Sequence, residues 1–364
     1  MPTIQQTPNT FSKNLAFVLV NIIAIAYIVV VGKKILAPLV LAFLFSMVLL
    51  PIACFLENKM KLNRAISAII STIVLIVVLA GIFYFIASQL GNMFQNGDAI
   101  KQQILSAVND FQNWISATFH IDLGKQKNYI DASVSKMLSS ASVVVSEVVF
   151  TLSSGLISLV LIIFFTFFLL FYRLLVMKFI IAAFKKESSP TIYDIAESIQ
   201  KMTRNYIIGL LFEMFIVTSV CSLAFTLLGV KYALLLGLIT GVLNVIPYLG
   251  IFTSLAINSL ITLATTGIAF KAWLVAGVII SVHIVDSNIL LPFIVGSRVR
   301  INALVTLIGI VIGELLWGVV GMFLSIPMLA IAKIIFDHIQ PLKHWGLLLG
   351  HETKSRFNRK RTAT

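Results

Sequence analysis

Residues 232–296 decide the fold, because they combine an apolar composition with residues that break helices. The stretch opens as YALLLGLITGVLNVIPYLG (232–250) and closes as SVHIVDSNILLPFIVG (281–296). Proline removes a backbone donor and kinks or breaks a helix, and a carboxylate at mid-membrane costs roughly 2.5–3.5 kcal/mol on insertion scales. Broken helices at membrane depth are tolerated where they are buried in protein or line a water-filled cavity. We therefore interpret this stretch as the transport core of a polytopic membrane protein.

Helix-breaking and polar residues form two groups in this core. The first, predicted to be a hinge or the tip of a hairpin, comprises Asn244, Pro247, Tyr248 and Gly250, and the second, around another break, comprises His283, Asp286, Asn288, Pro292 and Gly296. Asp286, Asn288 and the carbonyls freed by the second proline offer oxygen ligands for a proton or a small cation. His283 precedes Asp286 by three residues, so the two share a helical face. The alternative is a structural salt bridge from Asp286 to Lys271 or Arg298, without contact to substrate.

Two further carboxyl groups, Glu213 and Glu314, each stand alone in an apolar span. Burial of a carboxyl group favours its neutral, protonated form. The functional interpretation is a proton relay with Asp286. The structural alternative places each carboxyl at a membrane interface or in a helix–helix hydrogen bond. We favour the structural alternative for Glu314, because it lies close to Trp317, a residue type enriched at membrane interfaces, and leave both interpretations open for Glu213.

Five short blocks occur in a characteristic order: NVIPYLG (244–250), DSNILLPFIVG (286–296), GIVIG (309–313), WGVVG (317–321) and IPMLA (326–330). In that order they resemble the autoinducer-2 exporter family of bacterial permeases, and the hydropathy layout is similar to that family over nearly the whole chain. The resemblance implies permeation of a small molecule or an ion. That family is functionally mixed, and some of its members resemble sodium/proton antiporters.

The composition places the chain in the membrane class, because 59% of its residues are hydrophobic and only 11% are charged. The net charge of +13 does not indicate nucleic-acid binding, since no binding motif accompanies it and most cations flank apolar runs. The two cysteines, Cys54 and Cys221, lie inside apolar runs and form no Cys-x-x-Cys pair. Neither a disulfide nor a metal site is predicted from them.

Enzyme motifs are missing from the sequence, which contains no His-Glu-x-x-His, Gly-x-Ser-x-Gly or Gly-x-x-x-x-Gly-Lys pattern. We therefore expect no enzymatic activity and no cofactor. Because there is no recognisable ATP-binding motif, any active transport is expected to be driven by a gradient.

Hydropathy predicts an all-α fold of about eight transmembrane helices, with broken or re-entrant helices in the C-terminal half. The predicted segments are a cytoplasmic tail (1–14), N-terminal transmembrane helices (15–97), an extramembrane helical segment (98–147), a transmembrane helix (148–172), a cytoplasmic amphipathic segment (173–204), the C-terminal transport core (205–332) and a basic cytoplasmic tail (333–364). Gly32-Lys33-Lys34 is predicted to turn a helical hairpin, and Ser189-Pro190 to start a helix. The spacings Gly237–Gly241 and Gly309–Gly313 predict close helix packing.

The distribution of Lys and Arg predicts the orientation in the membrane. Seventeen of them fall in the two termini and in segments 57–64 and 173–204, and seven fall in the opposite loops. Because cytoplasmic loops carry more cations, both termini and 173–204 are expected inside the cytoplasm and 98–147 outside it. A short re-entrant hairpin centred on 247–250 or on 313–321 would change the span count.

The leading function is a permease of the bacterial inner membrane that exports a small polar signal, as in quorum sensing with autoinducer-2, and the resemblance implies this assignment. A cation/proton antiporter is the second interpretation, favoured by Asp286, Glu213 and Glu314. The third is a non-transporting envelope protein that recruits partners through 98–147. The expected partners are a small-molecule or ion substrate and membrane lipids, but no nucleic acid. The oligomeric state stays open, a homo-oligomer included.

Overall fold

The structure is a computed structural model that describes residues 8–95, 155–183, 189–246, 249–290 and 301–350. Every regular element in these residues is helical, apart from an isolated bridge between Ile301 and Gly350. The predicted all-α fold is confirmed. The extramembrane segment predicted over 98–147 and the basic tail beyond residue 350 lie outside the described residues.

The structure describes twelve α-helices in these residues. They are α1 Pro8–Val31, α2 Lys33–Asn58, α3 Arg64–Gln95, α4 Gly155–Phe171, α5 Arg173–Ala183, α6 Ser189–Leu227, α7 Ala233–Asn244, α8 Leu249–Thr266, α9 Ala269–Val285, α10 Ala303–Trp317, α11 Val319–His338 and α12 Lys343–Leu349. A π-helical turn, Asp286–Leu290, continues α9, and a 3-10 turn, Gln340–Leu342, precedes α12.

Six of the described helices are long and apolar enough to cross a membrane, namely α2, α3, α6, α8, α9 and α11. A seventh span results if α4 and α5, which meet at a bend of 68°, are counted as one. Large apolar side chains are exposed on these helices, for example Ile73 on α3, Phe164 on α4 and Phe215 on α6. Apolar surface on this scale is compatible with lipid rather than water. The fold is that of a polytopic helical membrane protein.

Helix α6 is the longest described helix, with 39 residues. It begins at Ser189, followed by Pro190, which confirms the helix start predicted from these two residues. The segment predicted over 173–204 and the span predicted from 205 meet inside α6 without a break. The composition changes there from polar to apolar, but the backbone hydrogen bonds of a helix do not depend on which side chains face water.

Packing around α6 joins the N-terminal helices to the C-terminal helices. One apolar cluster links α6 to α7 through Phe225 and Leu236. A second links α6 to α2 and α11 through Tyr206, Leu44 and Leu324. A third cluster lies among α2, α3 and α4. Helix α6 therefore provides the surface against which the C-terminal helices are positioned.

Two helical hairpins follow α6. Helix α7 has 12 residues and folds back into α8, and α10 has 15 residues and folds back into α11 at Gly318, whose φ is +64°. At 1.5 Å per residue these first arms are about 18 and 22 Å long, whereas a bilayer core is about 30 Å thick. Each hairpin therefore has a first arm too short for an upright span, and both lie where the sequence allows re-entrant hairpins.

Gly32 alone separates α1 from α2 and keeps near-helical dihedrals, φ −76° and ψ 4°. Helical hydrogen bonds run on both sides of it, from Gly32 N–H to Ile28 O at 2.8 Å and from Leu36 N–H to Gly32 O at 2.9 Å. The chain therefore bends here, and the helical hairpin predicted at Gly32-Lys33-Lys34 is wrong. The indole Nε1 of Trp317 donates to Val29 O at 3.0 Å. The end of α1 is thus attached to the tip of the second hairpin.

Candidate functional site

Three of the residues singled out in the sequence meet at one buried point: Glu213, Asn244 and Asp286. The amide nitrogen Nδ2 of Asn244 donates to Glu213 Oε1 at 3.0 Å and to Asp286 Oδ2 at 2.9 Å. The three residues come from α6, from the end of α7 and from the start of the π-helical turn. Glu213 and Asp286 are only 3% and 4% exposed. We call these three residues the carboxyl site.

Close packing of α7 on α6 places Asn244 against Glu213. A Cβ atom added at Gly237 or Gly241 would lie 2.1 Å from a hydroxyl oxygen of α6. No side chain fits at that distance, so the two backbones approach closely, as small residues allow in membrane helices. Asn244 lies seven residues after Gly237 and three after Gly241, on the same face of α7. The packing predicted from the Gly237–Gly241 spacing is confirmed.

Asp286 reaches the carboxyl site from the π-helical turn that continues α9. Such turns hold one extra residue and occur frequently at functional sites. The sequence predicts that the helix unwinds near Asn288 and Pro292. In the structure the chain remains helical up to Leu290, and Pro292 and Gly296 lie outside the described residues.

The start of α8 supports the end of α7. A Cβ atom added at Gly250 would lie 2.0 Å from Leu243 O, so glycine alone fits where α8 begins against α7. Leu243 directly precedes Asn244, and this contact therefore fixes the end of α7 that carries the amide. Pro247 and Tyr248, which the sequence assigns to the same hinge, lie outside the described residues.

The hydrogen bonds of the carboxyl site do not neutralise its charge. Each carboxyl group has one oxygen bonded to Asn244, while Glu213 Oε2 and Asp286 Oδ1 are buried without a hydrogen-bond partner. Two unit charges about 4 Å apart repel by about 4 kcal/mol at an effective dielectric constant of 20, whereas a hydrogen bond contributes about 1 kcal/mol net. One shared amide is therefore too weak to hold two ionised carboxylates together. The geometry fits a pair that binds a proton or a small cation.

A basic side chain that could neutralise the pair is not found at the site among the described residues. The ion pairs described there lie elsewhere and join Glu57 to Arg173 and Lys333 to Asp337. Lys271, a predicted partner of Asp286, instead donates to Gly229 O at 3.2 Å. Arg298, the other predicted partner, lies outside the described residues. Within the described part of the chain, no group of three or more His, Cys, Asp or Glu side chains is arranged to hold a metal ion.

The remaining predicted site residues lie around the carboxyl site or away from it. His283 is one turn before Asp286; its Nε2 is 3.3 Å from a serine hydroxyl, and its Nδ1 is buried without a partner. Asn288 is exposed and donates to a backbone carbonyl one turn earlier at 2.8 Å. Glu314 is exposed on α10. The structure thus leaves Asn288 and Glu314 outside the carboxyl site.

The sequence pattern assigns Asn244 to a hinge and misses its contact with both carboxyl groups. A signal for this contact exists in the sequence, because Asn244 continues the small-residue face formed by Gly237 and Gly241. A polar residue on the face that packs against α6 must find a partner there, and Glu213 is the buried carboxyl of that span.

Buried carboxyl groups beside an interrupted helix, inside a polytopic helical bundle, are typical of membrane transporters. A family model described as AI-2E family transporter matches residues 16–340 of the chain. The chain belongs to this family of membrane transporters.

Similar proteins occur in several bacteria. "Putative transport protein YueF" of Bacillus subtilis (strain 168) is 23% identical over 317 residues, which cover 83% of each chain. "Putative transport protein YrrI" of the same organism is 36% identical over 159 residues, or 43% of this chain and 42% of YrrI. "Putative permease PerM" of Escherichia coli (strain K12) is 28% identical over 131 residues, or 36% of this chain and 37% of PerM. The chain thus matches most of YueF but less than half the length of YrrI and PerM.

Proposed function

We propose that the protein is a gradient-driven permease that moves a small polar solute across the bacterial inner membrane without converting it chemically. The observation that carries this function is the carboxyl site, in which two buried carboxyl groups share one amide and have no basic partner among the described residues. A proton or a small cation that binds there compensates one of the two negative charges and removes the repulsion between the carboxyl groups. Its own gradient then drives the transport step.

Binding of an ion at the carboxyl site changes how three elements pack together. The three residues of the site lie on α6, on α7 and on the π-helical turn. With a proton or cation bound, the two carboxyl groups and the Asn244 amide hold these elements together. Once the ion leaves, the two charges repel each other and favour separation. Loading and unloading therefore alternate between two arrangements, which is what alternating access requires.

The proposed solute is a small polar signal molecule of the autoinducer-2 type, and the proposed direction of transport is out of the cell. The description of the family and the resemblance of the five sequence blocks support this assignment. Cation/proton antiport is a second candidate function. The carboxyl site favours it, because a pair that exchanges a proton for a small cation needs no further solute.

Purified protein in liposomes, with a pH-sensitive dye trapped inside, tests the transport function. We expect wild-type protein to move protons in response to a sodium, potassium or lithium gradient, or to an added polar solute. Glu213→Gln should reduce this response to that of protein-free liposomes, because one of the two ionisable carboxyls is lost. Glu197→Gln is the matched control, since Glu197 lies exposed on the same helix and should leave the response unchanged.

The outcomes of this experiment separate the two candidate functions. A response to a cation gradient alone supports antiport, and a response that needs the solute supports coupled export. If wild-type protein moves no protons in response to any of these gradients, or if Glu213→Gln responds like wild type, the carboxyl site does not couple transport to a gradient.

The proposed orientation has both termini in the cytoplasm, supported by the excess of Lys and Arg in the termini and in 173–204. In a chain from which Cys54 and Cys221 have been removed, a cysteine introduced at Asn128 should react with a membrane-impermeant maleimide added to spheroplasts. A cysteine introduced at Ser188 should stay unlabelled until the membrane is opened. The reverse labelling pattern would show that the protein has the opposite orientation in the membrane.

A further inference from the structure

We propose that a second, uncharged polar site next to the carboxyl site binds the transported solute through Thr240, Asn258 and Thr262, an inference that rests on the proposed transport function. The ligand that fits is a small neutral molecule with hydroxyl and carbonyl groups, such as a short polyol or a sugar. We call these three residues the polar site.

The first hairpin buries all three side chains of the polar site. Asn258 and Thr262 of α8 are 0% exposed, and Thr240 of α7 is 5% exposed. Asn258 Nδ2 donates to Thr240 Oγ1 at 2.8 Å, and Thr240 Oγ1 donates to Leu236 O at 2.9 Å. Thr240 is therefore satisfied. Asn258 Oδ1 and Thr262 Oγ1, in contrast, are buried without a hydrogen-bond partner.

The unpaired hydroxyl of Thr262, like that of Ser259 on the same helix, differs from the other threonine hydroxyls of α8. Thr253, Thr265 and Thr266 each donate to the backbone carbonyl four residues earlier, at 2.9, 2.7 and 2.7 Å. This bond to the preceding turn is the usual way in which a helical hydroxyl is satisfied. Thr262 does not make it, and the Asn258 carbonyl one turn away is also unpaired. Leaving both groups unpaired and buried costs free energy, which a bound ligand recovers.

The chemistry of the polar site selects a neutral ligand. The Asn258 carbonyl accepts hydrogen bonds, the Thr262 hydroxyl both donates and accepts, and none of the three side chains carries a charge. Asn258 and Thr262 are separated by one helical turn, about 6 Å of rise, which matches a molecule of a few carbon atoms. A cation would find stronger ligands at the carboxyl site, where two carboxylate oxygens are unpaired.

Helix α7 connects the polar site to the carboxyl site. Thr240 precedes Asn244 by four residues, so the two lie one turn apart on the same face. The polar site is shared between α7 and α8, whereas the carboxyl site ties α7 to α6 and to the π-helical turn. A movement of α7 that follows ion release therefore changes both sites at once. This arrangement links solute binding to the ion gradient.

Uptake of radiolabelled glycerol, erythritol and D-ribose into liposomes that contain the full-length protein tests the polar site. Asn258→Leu should reduce uptake to that of protein-free liposomes, because it removes the unpaired carbonyl at similar volume. Thr262→Val should reduce uptake by about fivefold, the effect of one lost hydrogen bond. Thr265→Val is the matched control, since Thr265 is equally buried on α8 but its hydroxyl is already bonded to Ile261 O. It should leave uptake unchanged.

Proton movement by the wild-type protein distinguishes this inference from the proposed function. A response to an imposed gradient without uptake of any of the three solutes overturns the inference and leaves the proposed function standing. The inference is overturned if wild-type protein takes up none of the three solutes, or if Asn258→Leu and Thr262→Val transport like wild type. In the latter case the unpaired groups bind buried water only. It is also overturned if Thr265→Val lowers uptake as much as Thr262→Val does.

Discussion

Asp286→Asn is expected to abolish gradient-coupled transport while the protein stays folded. The asparagine oxygen can still accept the hydrogen bond from Asn244, so the contact at 2.9 Å is retained. The new side chain, however, neither takes up a proton nor carries a charge. We expect proton movement in liposomes to fall to that of protein-free liposomes, and the free energy of unfolding to change by less than about 1 kcal/mol. Asp286→Glu keeps the charge but moves it, so partial activity should return.

Asp337→Asn is the matched control for this substitution. Asp337 lies at the end of α11 and pairs with Lys333 at the surface, where an ion pair contributes little. Transport and stability should both stay at the wild-type level. If Asp286 instead served a structural ion pair, Asp286→Asn would lower the yield of folded protein but not the activity per folded molecule. Neutralising Arg298, the remaining predicted partner, in the same chain would then restore the yield. Normal coupled transport by Asp286→Asn would falsify the proposed role of Asp286 in coupling transport to a gradient.

Gly321→Ala is expected to force the second hairpin apart. A Cβ atom at Gly321 would lie 1.9 Å from Gly313 O, and this backbone atom cannot rotate away as a flexible side chain could. The two helices must separate, which breaks the bond from Ser325 Oγ of α11 to Gly309 O of α10 at 2.8 Å. We expect a loss of about 3 kcal/mol or more in the free energy of unfolding, at the upper end of overpacking effects. Thermal unfolding in detergent measures it.

Gly277→Ala provides the comparison for this prediction. Gly277 lies within α9, and a Cβ atom there would meet no other atom within 4 Å. Because alanine loses less backbone entropy than glycine on folding into a helix, we expect a gain of about 0.5–1 kcal/mol. A Gly321→Ala protein as stable as Gly277→Ala would contradict the close backbone contact between α10 and α11.

Patterns that are local in the chain predict much of this fold. Hydropathy identifies the membrane-spanning helices, since a bilayer sets their length and composition. Ser189 and Pro190 mark the start of α6, because both residue types favour the first turn of a helix. The spacing of Gly237 and Gly241 predicts where α7 approaches its neighbour. In each case the physical cause acts between residues that are close in sequence.

The carboxyl site could not be predicted in the same way. Asn244 meets Glu213 and Asp286 across 31 and 42 residues of chain, and their contact depends on how three helices pack. Asn244 resembles a hinge residue because it precedes Pro247. Asn288 resembles an ion ligand because it precedes Pro292, yet the π-helical turn leaves it exposed. Neither assignment can be tested without the direction in which each side chain points.

Because α6 is long, a small tilt of this helix produces a large displacement at the carboxyl site. Glu213 stands about 36 Å along an unbroken rod from Ser189, and packed helices move as nearly rigid bodies. A tilt of only about 5° around the Ser189 end carries Glu213 sideways by about 3 Å, roughly the length of the hydrogen bond that Asn244 donates to it. A small rotation at one end of α6 is therefore enough to break or form the contact between Asn244 and Glu213, where we propose that an ion binds.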